Sequence, residues 1–75
     1  MKLRRTDWLN DVEGQTVILH TVNSGPSVKG ILVAVHADSL VLQKAAILEP
    51  ESQTLLDGDV AVLRDQVCLV QRVDG

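Results

Sequence analysis

The chain has 75 residues, of which 45% are hydrophobic, with one aromatic residue, Trp8, and a formal net charge of −3. A chain this short forms one domain at most and buries only roughly 60–65% of the surface it exposes unfolded, so a disulfide, a metal or a partner subunit is expected as a staple. The lone Cys68 excludes an intrachain disulfide, the two histidines and one cysteine lie too far apart to suggest a metal set, and oligomerisation is left.

In chain order, Thr6-Asp7-Trp8-Leu9 begins a helix of about two turns. Thr6 or Asp7 caps it, and Gly14 ends it in a left-handed conformation. Thr16 to Val22 reads as a strand, and Asn23-Ser24-Gly25-Pro26-Ser27 as a turn in which Gly and Pro supply the special φ values. Val28 to Val35 is the second strand, apolar on both faces from Ile31 to Val35. His36-Ala37-Asp38 turns the chain into a third strand, Ser39 to Leu48. Glu49-Pro50-Glu51-Ser52 is the next turn, and Gln53 to Leu63 returns as the fourth strand. Asp57-Gly58 interrupts that strand as a bulge or sharp bend rather than a hairpin. Arg64-Asp65-Gln66 makes a tight turn, and Val67 to Val73 is the last strand.

The fold class expected is all-β: a single domain over residues 1–75, with an arm and short helix over 1–14 and a five-stranded, strongly bent small barrel over 15–73. Closure of the barrel would remove the free sheet edges that invite aggregation. Ile31, Val33 and Val35 alternate with Leu32 and Ala34, which predicts an outer apolar row that a partner subunit covers.

This layout resembles the Sm-like fold, the family of the Sm proteins and the bacterial RNA chaperone Hfq, across nearly the whole chain from Trp8 to Val73. It is also similar to other small SH3-like barrels. The family's first motif, a glycine in strand two followed by an acidic turn and an apolar strand three, is matched by Gly30-Ile31-Leu32-Val33-Ala34-Val35-His36-Ala37-Asp38-Ser39-Leu40-Val41-Leu42. The second is matched loosely by Leu63-Arg64-Asp65-Gln66-Val67-Cys68-Leu69-Val70. The resemblance implies the fold and a tendency to form rings. In Sm proteins an Asn after the acidic turn and an Arg-Gly pair hold a uridine. Here apolar residues stand in place of that Asn, Asp65 stands in place of the Gly, the stacking aromatic is missing, and so is Hfq's Tyr-Lys-His run.

Candidate site residues are few. Arg4, Arg5 and Trp8, with Ile31, Val33 and Val35, are expected at a protein interface, because Trp and Arg anchor interfaces most often. Arg64, Asp65 and Gln66 form a ligand loop at a ring mouth if the chain binds RNA, and a plain polar turn otherwise. His20 and His36 read as surface or half-buried residues, and Cys68 as an inert small hydrophobe in a strand. Asp57 and Asp59 flank a bend, and no catalytic constellation, cofactor loop or metal motif is present in the sequence.

The expected function is therefore non-enzymatic: a structural or assembly protein that oligomerises or docks onto a larger protein shell. A phage virion accessory, either a capsid decoration or a minor capsid protein, is its most concrete form, because phages encode small barrels of this size and plainness. The acidic charge and the want of aromatic rings argue against nucleic acid. No cofactor, membrane or small-molecule substrate is expected, and the location is cytoplasmic, or the virion. The alternative is an Sm-like ring that binds RNA.

Overall fold

The computed structural model describes residue 9 and residues 11–73. Six strands follow in order: β1 (Thr16–Thr21), β2 (Ser27–Val35), β3 (Ser39–Leu48), β4 (Gln53–Leu55), β5 (Val60–Leu63) and β6 (Val67–Arg72). A 3₁₀ turn, Arg64–Gln66, joins β5 to β6. The strands form one sheet in the order β4-β3-β2-β1-β6, and β5 also pairs with β3. Every pairing is antiparallel.

The fourth strand read from the sequence is thus a single path in two pieces. Leu55 sits opposite Ala46, and Val60 opposite Leu42. Gly58 takes a left-handed φ of 74° between them. This bend faces an irregularity in β3. Three residues of β2, Lys29 to Ile31, span four of β3, Ala46 to Gln43. Lys44, at φ 52°, supplies the extra residue. The bulge reverses the alternation of β3, so Leu40, Leu42 and then Ala45 all enter the core.

Gly30 lies where this bulge passes closest. A Cβ there would come within 3.1 Å of the Gln43 carbonyl oxygen and of Leu42 Cβ, and 3.2 Å of Ala45 Cα. A side chain at this position would require β3 to give way by a few tenths of an ångström. In the first turn the left-handed residues are Asn23 and Ser24, not Gly25. Gly25 is needed for space instead, since a Cβ would lie 2.5 Å from Thr21 Oγ1.

A second bulge sits at Val33. Leu32 pairs with Leu42 and Ala34 with Val41, leaving Val33 without an opposite residue. Before it Val28, Gly30 and Leu32 face inward; after it Val35, opposite Leu40, packs against the core. The expected outer row of Ile31, Val33 and Val35 is therefore broken. Ile31 and Val33 are half-buried on the far side from Leu32, while Val35 crosses to the core side.

The core is one cluster that includes Leu9, Val12, Val17, Leu19, Leu32, Leu40 and Leu42. Leu9 and Val12 join it from the segment before β1. Gly14, at φ 87°, donates its N–H to the Leu32 carbonyl, and Leu32 N–H donates to Gln15. The expected helix from Thr6 falls mainly outside the described residues, as do Arg4, Arg5 and Trp8.

The strands form the expected small, strongly bent all-β barrel, and among the described residues β5 and β6 are not paired with each other. In the sheet β4 and β5 pair only with β3, and β6 only with β1. The three-residue 3₁₀ turn carries the chain from one end of the sheet order to the other, so β5 and β6 do not form a hairpin. Two edges are left, and the exposed large apolar residues Leu55, Leu63 and Leu69 lie on β4, β5 and β6.

Candidate functional site

Two turns meet at one end of the sheet. His36 N–H donates to the Ser39 carbonyl and closes the turn between β2 and β3. Arg64 then fastens the 3₁₀ turn to it twice. Its backbone N–H donates to the Asp38 carbonyl oxygen at 2.9 Å. Its guanidinium Nη1 donates to the His36 carbonyl oxygen, also at 2.9 Å. The β3–β5 ladder brings these turns together, because Ser39 pairs with Leu63 directly beside them.

A concavity of about 330 Å³ opens over the joint, lined by Ala37, Asp38, Leu63, Arg64 and Asp65. Arg64 and Asp65 also line a neighbouring cleft of about 370 Å³ that runs along β6 past Cys68 and Leu69. The Arg64 side chain is half-buried and Asp65 is exposed. One guanidinium N–H is occupied by His36, and the other donors stay on the same rigid fork. Leu63, 56% exposed, offers an apolar surface beside them. Gln66 donates from Nε2 to Asp65 Oδ1 at 3.4 Å, a long contact. The site thus combines a cationic fork, two carboxylates and an apolar wall.

The sequence reading named Arg64, Asp65 and Gln66 for this loop. It did not name the partners that make a site of it: Ala37, Leu63, and the carbonyls of His36 and Asp38. The acidic turn between β2 and β3 was visible, but its contact with Arg64 spans 28 residues of sequence.

The other candidates lie elsewhere. His20 is half-buried on β1, between Ser27 Oγ at 3.2 Å from Nδ1 and Gln71 Oε1 at 3.0 Å from Nε2. His36 is exposed and enters the site through its carbonyl alone. Cys68 occupies a bulge of β6, where His20 pairs with Leu69 and Thr21 with Val67. It is exposed, with its thiol 3.3 Å from the His20 carbonyl oxygen. Among the described residues no three His, Cys, Asp or Glu side chains group to hold a metal ion. No helix among them is long and apolar enough to cross a membrane.

No protein-family model matches the sequence, and no curated protein matches it. Solved structures do match. The chain is similar to the SmAP1 heptamer of P. aerophilum, with a TM-score of 0.86 and 21% identity over 100% of both chains. It is similar to a heptameric archaeal Sm protein, at TM-score 0.80 and 22% identity, over 91% of this chain and 98% of that one. It is also similar to a chain in the crystal structure of the NatC complex bound to Gag peptide and CoA. There the identity is 30% and the TM-score 0.73, over 88% of this chain and 90% of that one. The chain has the Sm-like fold, that of small β-barrel proteins.

These likenesses correct two expectations. The phage virion accessory is overturned, because the matching structures include heptameric Sm-like proteins. They fit the alternative, an Sm-like ring that binds RNA. The expectation that nucleic acid is an unlikely partner is overturned with it. That expectation weighed the charge and aromatic count of the whole chain, which carry no information on how single side chains such as Arg64 are placed.

Proposed function

We propose that this protein is an Sm-like ring protein that binds single-stranded RNA at the joint between the β2–β3 turn and the Arg64–Gln66 turn. The observation that carries the reading is the double anchoring of Arg64 on Asp38 and His36, in a chain that matches the SmAP1 heptamer over its whole length. Pinning the guanidinium on a carbonyl fixes its direction before RNA arrives, so less rotamer freedom is lost on binding. The role is one of binding, without catalysis, and the compartment is the cytoplasm, where a free thiol such as Cys68 stays reduced.

Ring assembly supplies the staple that a chain of this size needs. The unpaired edge of β5 in one copy and of β6 in the next are complementary, since each has backbone donors and acceptors without a strand partner. Burial of Leu63 and Leu69 adds to the junction. Repetition around a ring sets several copies of the Arg64 site about one mouth, and many weak nucleotide contacts then act together.

The test is filter binding of purified protein to uridine-rich and adenine-rich RNA at two salt concentrations. Micromolar or tighter binding that weakens at the higher salt is expected. Absence of binding to every RNA at the lower salt contradicts the reading.

A further inference from the structure

The residue beside Arg64 distinguishes this site chemically. Asp65 is an exposed carboxylate that lines the same concavity as Arg64, Leu63, Ala37 and a second exposed carboxylate, Asp38. An ionised carboxylate has two acceptor oxygens and no donor. Its one side-chain contact, from Gln66 Nε2 at 3.4 Å, is long and reaches Oδ1 only. A base placed edge-on to Asp65 must therefore present N–H groups to both oxygens, or set an acceptor of its own against a negative oxygen.

The four bases differ sharply in this respect. Uracil offers N3–H flanked by two carbonyl oxygens. Cytosine offers its N4 amine next to the N3 acceptor, and adenine its N6 amine next to the N1 acceptor. Guanine alone has two neighbouring donors on one edge, N1–H and the N2 amine, which match a carboxylate bidentately. Its adjacent O6 and N7 are acceptors for an arginine fork. Single-stranded RNA is read on these edges, with the ring face resting on apolar or planar side chains. Leu63 provides that surface here.

We infer that the Arg64–Asp65 site selects guanine, with Asp65 accepting from N1–H and N2–H and the free donors of Arg64 facing O6 and N7. The inference rests on the RNA-binding reading above and adds the identity of the base. It also gives an acidic chain a way to discriminate among RNAs, because sequence is read at the base edge.

The test is fluorescence anisotropy with labelled octamers of (GU)4, (IU)4, (AU)4 and U8 RNA, on the wild-type protein and on Asp65→Asn. Inosine keeps N1–H and O6 but lacks the N2 amine. The wild type should bind (GU)4 about tenfold tighter than U8 or (AU)4, with (IU)4 between them. Asp65→Asn replaces one acceptor by a donor, so the preference for (GU)4 over U8 should vanish or invert, while circular dichroism stays unchanged. Equal binding of (GU)4 and U8 by the wild type, or a preference that survives in Asp65→Asn, overturns the guanine assignment and leaves RNA binding standing. Failure to bind any of the four overturns the RNA-binding reading and this inference together.

Discussion

Arg64 donates from Nη1 to the carbonyl oxygen of His36 across 2.9 Å, joining two turns that lie 28 residues apart in sequence. The backbone bond from Arg64 N–H to Asp38 sets the position of the turn, and the guanidinium bond sets its direction. The two together make the end of the sheet a defined concavity rather than a pair of independent loops.

Arg64→Ala removes one bond of this pair and the cation with it. Arg64 is half-buried, so the loss of stability should be modest, about 1 kcal/mol in a urea titration. RNA affinity should fall about tenfold or more. Arg64→Lys keeps the charge without the fork and should restore stability more fully than affinity.

Gly30 predicts a larger effect on folding alone. A methyl group there meets the Gln43 carbonyl oxygen and Ala45 Cα, both backbone atoms of the β3 bulge. Gly30→Ala should cost about 1–3 kcal/mol, and Gly30→Val more, as read from the denaturation midpoint. A neutral Gly30→Val would mean that the bulge is not where it is described.

At Gly58 the obstacle is backbone conformation, since nothing lies within 4 Å of a Cβ built there. With φ at 74°, Gly58→Ala should cost about 1 kcal/mol. Gly58→Asn should cost less, because Asn visits the left-handed region more readily. The order Gly, Asn, Ala in thermal midpoint is the check.

Leu63 and Leu69 separate assembly from folding. Both are exposed in the single chain, at 56% and 64%. The double change Leu63→Glu with Leu69→Glu should leave the circular dichroism spectrum intact and lower the mass in solution to that of one copy. Each copy then places like charges on the edges that should meet. An unchanged oligomer would remove β5 and β6 from the interface.

Much of this fold was legible in the sequence. Period-two runs and Gly/Pro turns gave the strand path, and Asp57-Gly58 gave the bend within the fourth strand. The bulges were not legible. Val33 sits in an unbroken apolar run, where nothing marks the residue at which alternation reverses. Lys44 is a residue type that seldom signals a left-handed φ, so the crossover in β3 was silent too. Both errors bear on Val35, which was set on the outer face and lies against the core. The site was half legible. Arg64, Asp65 and Gln66 stood out as a polar turn, but His36, Ala37 and Asp38 join them only through the β3–β5 ladder. Net charge and aromatic count, summed over the chain, do not detect one arginine fixed by a distant carbonyl.

Native mass spectrometry of the purified protein, with and without a mixed-sequence single-stranded RNA, tests the central claim most directly. A closed multiple of the 8.1 kDa chain that gains the mass of one RNA per ring is the predicted result. A single-copy mass at micromolar concentration, unchanged on addition of RNA, would contradict it.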